Sequence, residues 1–238
     1  MINFFKQWFS GRTPPEYRPR VLEWQAIRVE EKKISLDKAN FIVVDIETTG
    51  LEPSSDKLVS IGAVPIRRGR LQLGNSFHGV LRQMYRGNRE NIIIHGITPA
   101  DQARGEPPAD LLVDFLEVAE KHPMVAFHAP FDRHFLRRAY REFLGVKLAN
   151  SFLDLAWVLP ALYPDEGKSL PSLDAWVEHF GLSVSNRHSA VEDALVTAEL
   201  FLIALSKARE RRINTVQGLF HLAEEHARFS PAATLMRK

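Results

Sequence analysis

No cysteine occurs among the 238 residues, which excludes a disulfide scaffold, thiolate-held zinc, iron–sulfur ligation and a cysteine nucleophile. Metal chemistry in this chain must use oxygen or histidine. An excess of charge of one sign is missing as well: 31 Lys+Arg stand against 29 Asp+Glu, a formal net charge of +2, so the chain has neither a histone-like tail nor an acidic solubilising one. Long apolar runs are also lacking. The most apolar stretch, Ala194 to Leu205, is interrupted by Thr197 and Glu199 and is shorter than the ~20 residues of a bilayer span. Met1 to Phe9 is aromatic-rich but carries Lys6 and Gln7 and no small-residue cleavage site, so no secretory signal is expected and the protein is placed in the cytoplasm. What remains is 45% apolar and 25% charged, an ordinary globular balance, in a chain sized for one domain with appendages or two small domains.

Pro14, Pro15 and Pro19 among Arg12, Glu16, Arg18 and Arg20 cannot continue a helix or join a central strand, and mark a linker. Residues 1–38 are therefore expected to be an N-terminal extension. Within it Ile2, Phe5 and Phe9 share a helical face with Trp8 alongside, and Leu22 to Val29 suits a strand or a short helix. From Phe41 to Ile46 a β-branched run is dense enough to be buried on both faces. Leu58 to Arg67 and Leu71 to Leu81 follow as strands around the turn Arg68-Gly69-Arg70, which predicts a three-strand meander. Helical spacing then covers Pro108 to Lys121, a short strand Met124 to Phe127, and a helix through Leu136, Ala139, Tyr140, Phe143 and Leu144. Ser151 to Leu155 is the fifth strand candidate. Ser172 to Phe180, Ala190 to Ala208 and Val216 to Arg228 read as helices. The predicted architecture is an α/β fold, a mixed five-stranded sheet of a meander plus two parallel strands flanked by helices. Residues 39–206 form its body and 207–238 a helical tail.

Asp45 and Glu47 lie two residues apart at the end of the first strand, so both leave the same face of the sheet. Burying two carboxylates together is costly unless a cation compensates. Thr48-Thr49-Gly50 follows, where a glycine allows a sharp turn or close approach to a ligand. Asp132 comes after a short strand and the turn His128-Ala129-Pro130, in the first turn of a helix where negative charge is stabilised. Alone, such an Asp is an ordinary local charge. Ser189-Ala190-Val191-Glu192 fits a capping box, which puts His188 just outside a helix and Asp193 in its first turn, so that a His on the preceding loop can fold back toward the same site. Alone, that is an ordinary capped helix with a surface histidine. Together, four carboxylates and one histidine at these places suit Mg²⁺ or Mn²⁺ rather than zinc or copper. A histidine outside the ligand set, titrating near ~6.5 when unperturbed, can accept a proton from a polarised water.

These residues resemble the DEDDh (DnaQ-like) family of 3′–5′ exonucleases, which includes the proofreading subunit of bacterial DNA polymerase III and ribonuclease T. The resemblance runs from about Asn40 to Ser206. It rests on Asp45-Ile46-Glu47-Thr48-Thr49-Gly50-Leu51, on His128-Ala129-Pro130-Phe131-Asp132 and on His188-Ser189-Ala190-Val191-Glu192-Asp193, with His95-Gly96-Ile97-Thr98 and Leu153-Asp154-Leu155 between them. His128 stands where many members carry Asn, and Leu155 where Thr is usual. The resemblance implies a ribonuclease-H-like fold, with Asp45, Glu47, Asp132 and Asp193 holding two divalent ions and His188 as general base. It further implies that the terminal nucleotide lies against backbone near Thr48 and Thr49, with Leu51 and Ile97 as apolar wedges and His128 and Phe131 alongside. The expected product is a nucleoside 5′-monophosphate released from the 3′ end of single-stranded nucleic acid.

DNA or RNA stays open, because discriminating the 2′-OH is a local contact these motifs do not reveal; DNA is favoured. The arginines 67, 68, 70, 82, 86, 89, 133, 137, 138 and 141 are candidates for tracking phosphates. Two competing readings are a binding module that kept the fold without the chemistry, and extensions that dock a polymerase or another protein. Oligomeric state is not legible. Glu166-Gly167-Lys168-Ser169 lacks the upstream glycine of a P-loop, and His221 and His226 lack the spacing of a zinc protease.

Overall fold

The computed structural model describes residues 13–29, 33–83, 95–183 and 189–229. The aromatic face of Ile2, Phe5, Trp8 and Phe9, the arginines Arg86 and Arg89, and His188 lie outside the described residues. Strand β1 (Asn40–Thr48) is central; antiparallel β2 (Leu58–Arg67) lies on one side and parallel β5 (Met124–Ala126) on the other, with β6 (Phe152–Asp154) parallel beyond it. The outer edge of β2 carries two short strands, β3 (Arg70–Leu71) and β4 (Phe77–Val80). Among the described residues six strands result, in the order β3-β2-β1-β5-β6 with β4 on β2.

The expected five-stranded sheet is thus corrected by one. Pro65 supplies the reason: its carbonyl accepts Gln72 N–H at 2.9 Å, but it has no N–H to return to that edge. The ladder stops there, a 3-10 turn at Leu73–Asn75 intervenes, and pairing resumes at Phe77 against Ala63.

The helices, in chain order, are α1 (Arg18–Ala26), α2 (Pro99–Arg104), α3 (Pro108–Ala119), α4 (Ala129–Ala139), α5 (Leu155–Leu162), α6 (Leu173–His179), α7 (Ala190–Glu210) and α8 (Val216–Phe229). Alternation along β1 divides the core between two faces. Ile42, Val44 and Ile46 pack with α1, α3 and α4, and Phe41 and Val43 pack with α5, α6, α7 and α8. The fully buried Phe41 meets Phe201 of α7 edge to face at 4.9 Å. Beyond α4 the chain widens into a π-type turn at Tyr140–Leu144, held by Tyr140 Oη donating to the Leu112 carbonyl at 3.0 Å.

The proline-bearing stretch read as linker is helical from Arg18 onward. Pro19 sits in the first turn of α1, where a missing N–H costs nothing. Tyr17 donates to Asp110 at 2.7 Å, Arg20 pairs with Asp114 at 2.6 Å, and Trp24 Nε1 donates to the Glu120 carbonyl at 2.8 Å, with Val21 and Trp24 buried against α3. In α8, Val216, Leu219 and Ala223 are buried in the second core.

Candidate metal centre

Asp45 and Glu47 occupy the carboxyl end of β1, followed by a shift in β1–β2 register between Glu47 and Thr48. A bulge at this place re-aims the chain as it leaves the sheet. Directly opposite Asp45 on β2 stands Gly62. A Cβ there would collide with the backbone of Ala190 and Val191, so the bare glycine lets the first turn of α7 lie directly on the strand. That turn carries Asp193, which is buried. Oxygens of Asp45, Glu47 and Asp193 come within 4.8 Å of one another.

The capping box expected at Ser189 does not form. Ser189 is the N-cap residue of α7, but its side chain makes no capping bond. Its carbonyl instead accepts Asp193 N–H at 2.9 Å. The reciprocal box appears at Thr98 and Asp101 in α2. The seating of Asp193 therefore comes from backbone packing on Gly62 rather than from the cap.

Asp132 lies outside the three-carboxylate group. It is in the first turn of α4 and only 4% exposed. Burial pushes its carboxyl well above the usual range, and the charges of Asp154 and Glu47 push it further, against stabilising backbone bonds from Asp132 and Ile46. The expected four acids are thus three in one group and a fourth electrically coupled to it through Glu47.

Asp154 belongs to the Leu153-Asp154-Leu155 segment, to which the sequence assigns no site role. It ends β6, caps α5 by accepting Ala156 N–H at 3.1 Å, and accepts His128 N–H at 3.0 Å. Burial raises its carboxyl too, offset by His128 and by the amides of Ala156, Ala129 and His128. His128 has a left-handed backbone with φ 65, uncommon for a residue with a side chain. Asp154 thus clamps the strained turn that launches α4 and Asp132. A carboxylate closing a short apolar strand was the available signal.

The turn after β1 is similarly fixed. Thr49 N–H donates to the Lys57 carbonyl at 2.9 Å, and Thr49 Oγ1 donates to Asp56 at 2.9 Å while accepting Lys57 N–H at 2.9 Å. Thr48 Oγ1 donates to the Gly50 carbonyl at 2.6 Å. Arg138 donates to the carbonyls of Pro53 and Asp56, which ties α4 to this turn. Arg138, expected as a phosphate contact, thus commits its guanidinium to main chain, and Asp56 had no motif to reveal it. At the tip, Leu51 is 82% exposed, an apolar side chain held out by a rigid support. Ile97 is half-buried, its N–H bonded to His95 Nδ1 at 3.1 Å; Phe131 is half-buried against Phe135 at 4.8 Å; His128 is exposed.

The donor chemistry fits a hard divalent cation: carboxylate oxygens only, from elements that hold like charges closer than they would stay unaided. A mixed sheet with acids converging from the end of its central strand and from a helix start has ribonuclease-H-like architecture. The exonuclease family model matches residues 42–201, and the chain belongs to that family. It is 33% identical over 168 residues to a PolC-type DNA polymerase III of Thermotoga petrophila, covering 71% of this chain and 12% of that protein. It is 35% identical over 198 residues to a DNA polymerase III subunit epsilon-like protein of Rhodobacter capsulatus, covering 81% of this chain and 27% of that one. The chain therefore spans a minor part of these relatives' length. In fold it is similar to E. coli exonuclease I solved with a dT13 oligonucleotide (TM-score 0.63, 21% identity, 73% of this chain and 42% of that one). It is similar too to exonuclease X solved with 5′ overhanging duplex DNA (TM-score 0.62, 20% identity, 77% and 99%). No helix among the described residues is long and apolar enough to cross a membrane.

Proposed function

We propose that this protein is a 3′–5′ exonuclease that removes terminal nucleotides from single-stranded nucleic acid, DNA in preference to RNA, using two Mg²⁺ or Mn²⁺ ions. The observation that carries this reading is the group of Asp45, Glu47 and Asp193 oxygens in a chain of the exonuclease family. Asp45, Glu47 and Asp193 hold the metal, with Asp132 completing the set once its carboxyl is ionised. Bound there, divalent ions would supply the positive charge that polarises the attacking water and steadies the leaving 3′ oxygen.

The remaining work falls to the chain itself. The rigid Thr48–Thr49 turn presents backbone to the terminal nucleotide, and Leu51, with Ile97, wedges against its base. Phe131 and His128 border the path of the scissile phosphate. His188 accepts the proton of the attacking water. The water oxygen bonds to phosphorus as the bond to the 3′ oxygen breaks, and that oxygen takes a proton from solvent, which leaves a 3′-hydroxyl on the shortened strand and a nucleoside 5′-monophosphate. The relatives' names include DNA polymerase III, which favours DNA and suggests a polymerase as partner. Residues 39–206 are proposed as the nuclease unit.

The test uses 5′-labelled single-stranded DNA and RNA of one sequence with Mg²⁺, Mn²⁺ or EDTA, comparing the parent with Asp45→Ala and His188→Ala. A ladder shortening from the 3′ end, abolished by EDTA and strongly weakened in both variants, is expected. Unimpaired cutting by Asp45→Ala would refute the mechanism. Binding without turnover in any metal would instead favour a module that kept only the fold.

A further inference from the structure

The end of the sheet opposite the carboxylates gathers positive charge from three separate segments. Residues 34–36 are laced to 214–216 by Leu36 N–H to the Asn214 carbonyl at 2.9 Å and Val216 N–H to the Ile34 carbonyl at 3.1 Å. The β2–β3 hairpin joins them, with Arg68 N–H donating to the Ala39 carbonyl at 3.2 Å. A Cβ built on Gly69 at its tip would stand 3.6 Å from the Arg209 guanidinium. On this joined surface Lys38, Arg68, Arg70, Arg209 and Arg212 are all exposed.

No acid among the described residues neutralises them by an ion pair. Nearby Glu120 is bound to Arg67 at 3.4 Å and Glu210 to Lys207 at 2.8 Å. Asp37 is the remaining acid of the patch; its carboxylate accepts a bond from the Ser35 side chain and is held below the usual range also by the charges of Lys38 and Arg209, so one acid stands among five cations. A helix C-terminus attracts cations on its own account, which explains Arg209 at the end of α7. It does not explain Lys38 or the hairpin arginines, which come from other elements. In a chain whose total is only +2, five exposed cations thus gather at the end of β1 away from the carboxylate group.

We propose that this surface is a second nucleic-acid contact, holding the phosphate backbone of a strand whose 3′ end occupies the carboxylate site. The proposal rests on the exonuclease reading for its occupant. Arginine forks match phosphate oxygens in pairs, and four of these five cations are arginines. From Asn40 to Glu47, β1 advances seven residues, roughly 23 Å at ~3.3 Å each. A trinucleotide, about 10 Å long when stacked at ~3.4 Å per nucleotide, cannot bridge that span, whereas a 20-mer does.

The experiment compares the full-length parent with the combined variant Arg68→Gln, Arg70→Gln, Arg209→Gln and Arg212→Gln. Binding of a labelled 20-mer of single-stranded DNA is followed by anisotropy in EDTA across a salt series, and cleavage of a trinucleotide is followed with Mn²⁺. The variant is expected to bind the 20-mer at least about tenfold more weakly at low salt. Its slope of log affinity against log salt should be shallower by about 3, at ~0.7 per lost phosphate contact, with trinucleotide cleavage as in the parent. Unchanged 20-mer affinity and slope would overturn the proposal, as would a parallel loss of trinucleotide cleavage, which would mark damage to the fold. Decaglutamate retained by the parent and lost by the variant, with 20-mer binding alike in both, would assign the surface to an acidic protein and also overturn it. A parent that cuts nothing yet shows the patch-dependent salt slope would sink the nuclease reading and leave this contact standing.

Discussion

Adding one methyl group at Gly62 tests how the site is assembled. The Cβ of Gly62→Ala would enter the van der Waals envelope of the Ala190 carbonyl carbon and oxygen and the Val191 nitrogen. Those are helix backbone atoms that cannot rotate aside. To regain ordinary contact at ~3.5 Å, the first turn of α7 must retreat by more than about 1 Å. Asp193 retreats with it, opening the group it forms with Asp45 and Glu47. Displacement of ~1 Å at reacting groups costs on the order of 10²-fold in rate, and overpacking costs about 1–3 kcal/mol of stability. Gly62→Ala should therefore reduce the single-turnover cleavage rate of a labelled oligonucleotide about 100-fold and raise the Mn²⁺ concentration for half-maximal rate, while circular dichroism shows a folded protein. Gly74→Ala is the control, because nothing lies within 4 Å of its added carbon, and it should leave rate and metal requirement unchanged. A Gly62→Ala protein that cuts at the parental rate would show that α7 is not seated through this contact.

The raised carboxyl of Asp132 has a sign that calorimetry can read. A carboxyl whose folded value lies above its unfolded one, ~3.9, favours the fold fully below the unfolded value and loses that contribution as pH rises through the folded value. Metal-free parent should therefore lose thermal stability with rising pH more steeply than Asp132→Asn, and metal should stabilise the parent more at pH 8 than at pH 5; equal pH slopes would refute the assignment. Asp154→Ala should lower activity about 10–100-fold, as loss of a supporting bond behind a metal ligand does, and remove about 1 kcal/mol of cap energy from α5. Asp154→Asn, which keeps a cap acceptor, should recover the stability, and denaturant titration separates the two losses. Trp24→Ala should cost about 3–5 kcal/mol by chemical denaturation if α1 is part of the folded body, and almost nothing if it is a detachable extension.

The readable parts of the sequence were those where one residue type has few tolerable places. A β-branched run buried on both faces marked β1, and the two acids at its end are two of the three in the metal group, because spacing of two fixes a common face. Helix α4 was legible from Pro130 and its apolar period. The break between β3 and β4 was not, since it depends on which edge of β2 the Pro65 nitrogen faces, a matter of register. Gly62 sat in an apolar run where a glycine signals close approach, yet the partner, Ala190, is far along the chain. Ser189 shows the reverse error: a correct capping pattern predicted a hydrogen bond that tertiary packing made unnecessary. Asp154, Asp56 and Arg138 act by holding backbone, and a side chain that bonds to main chain leaves little periodic trace. The arginines of α1 and the hairpin looked alike in sequence, but Arg20 has carboxylate partners on α3 and Arg68 has none among the described residues.

The metal group is drawn from the first long strand of the sheet and from a helix that begins nearly 150 residues later. During synthesis the strand acids emerge early, but Asp193 follows only after β5, β6 and α4 through α6 have been made. Until α7 is translated and seated on Gly62, the nascent polypeptide holds Asp45, Glu47 and the buried Asp132 but lacks Asp193, the acid that closes the three-carboxylate group. A copy that ends before Asp193 therefore lacks the acid that closes the group, so on the exonuclease reading the metal site is among the last parts of the fold to be completed during synthesis.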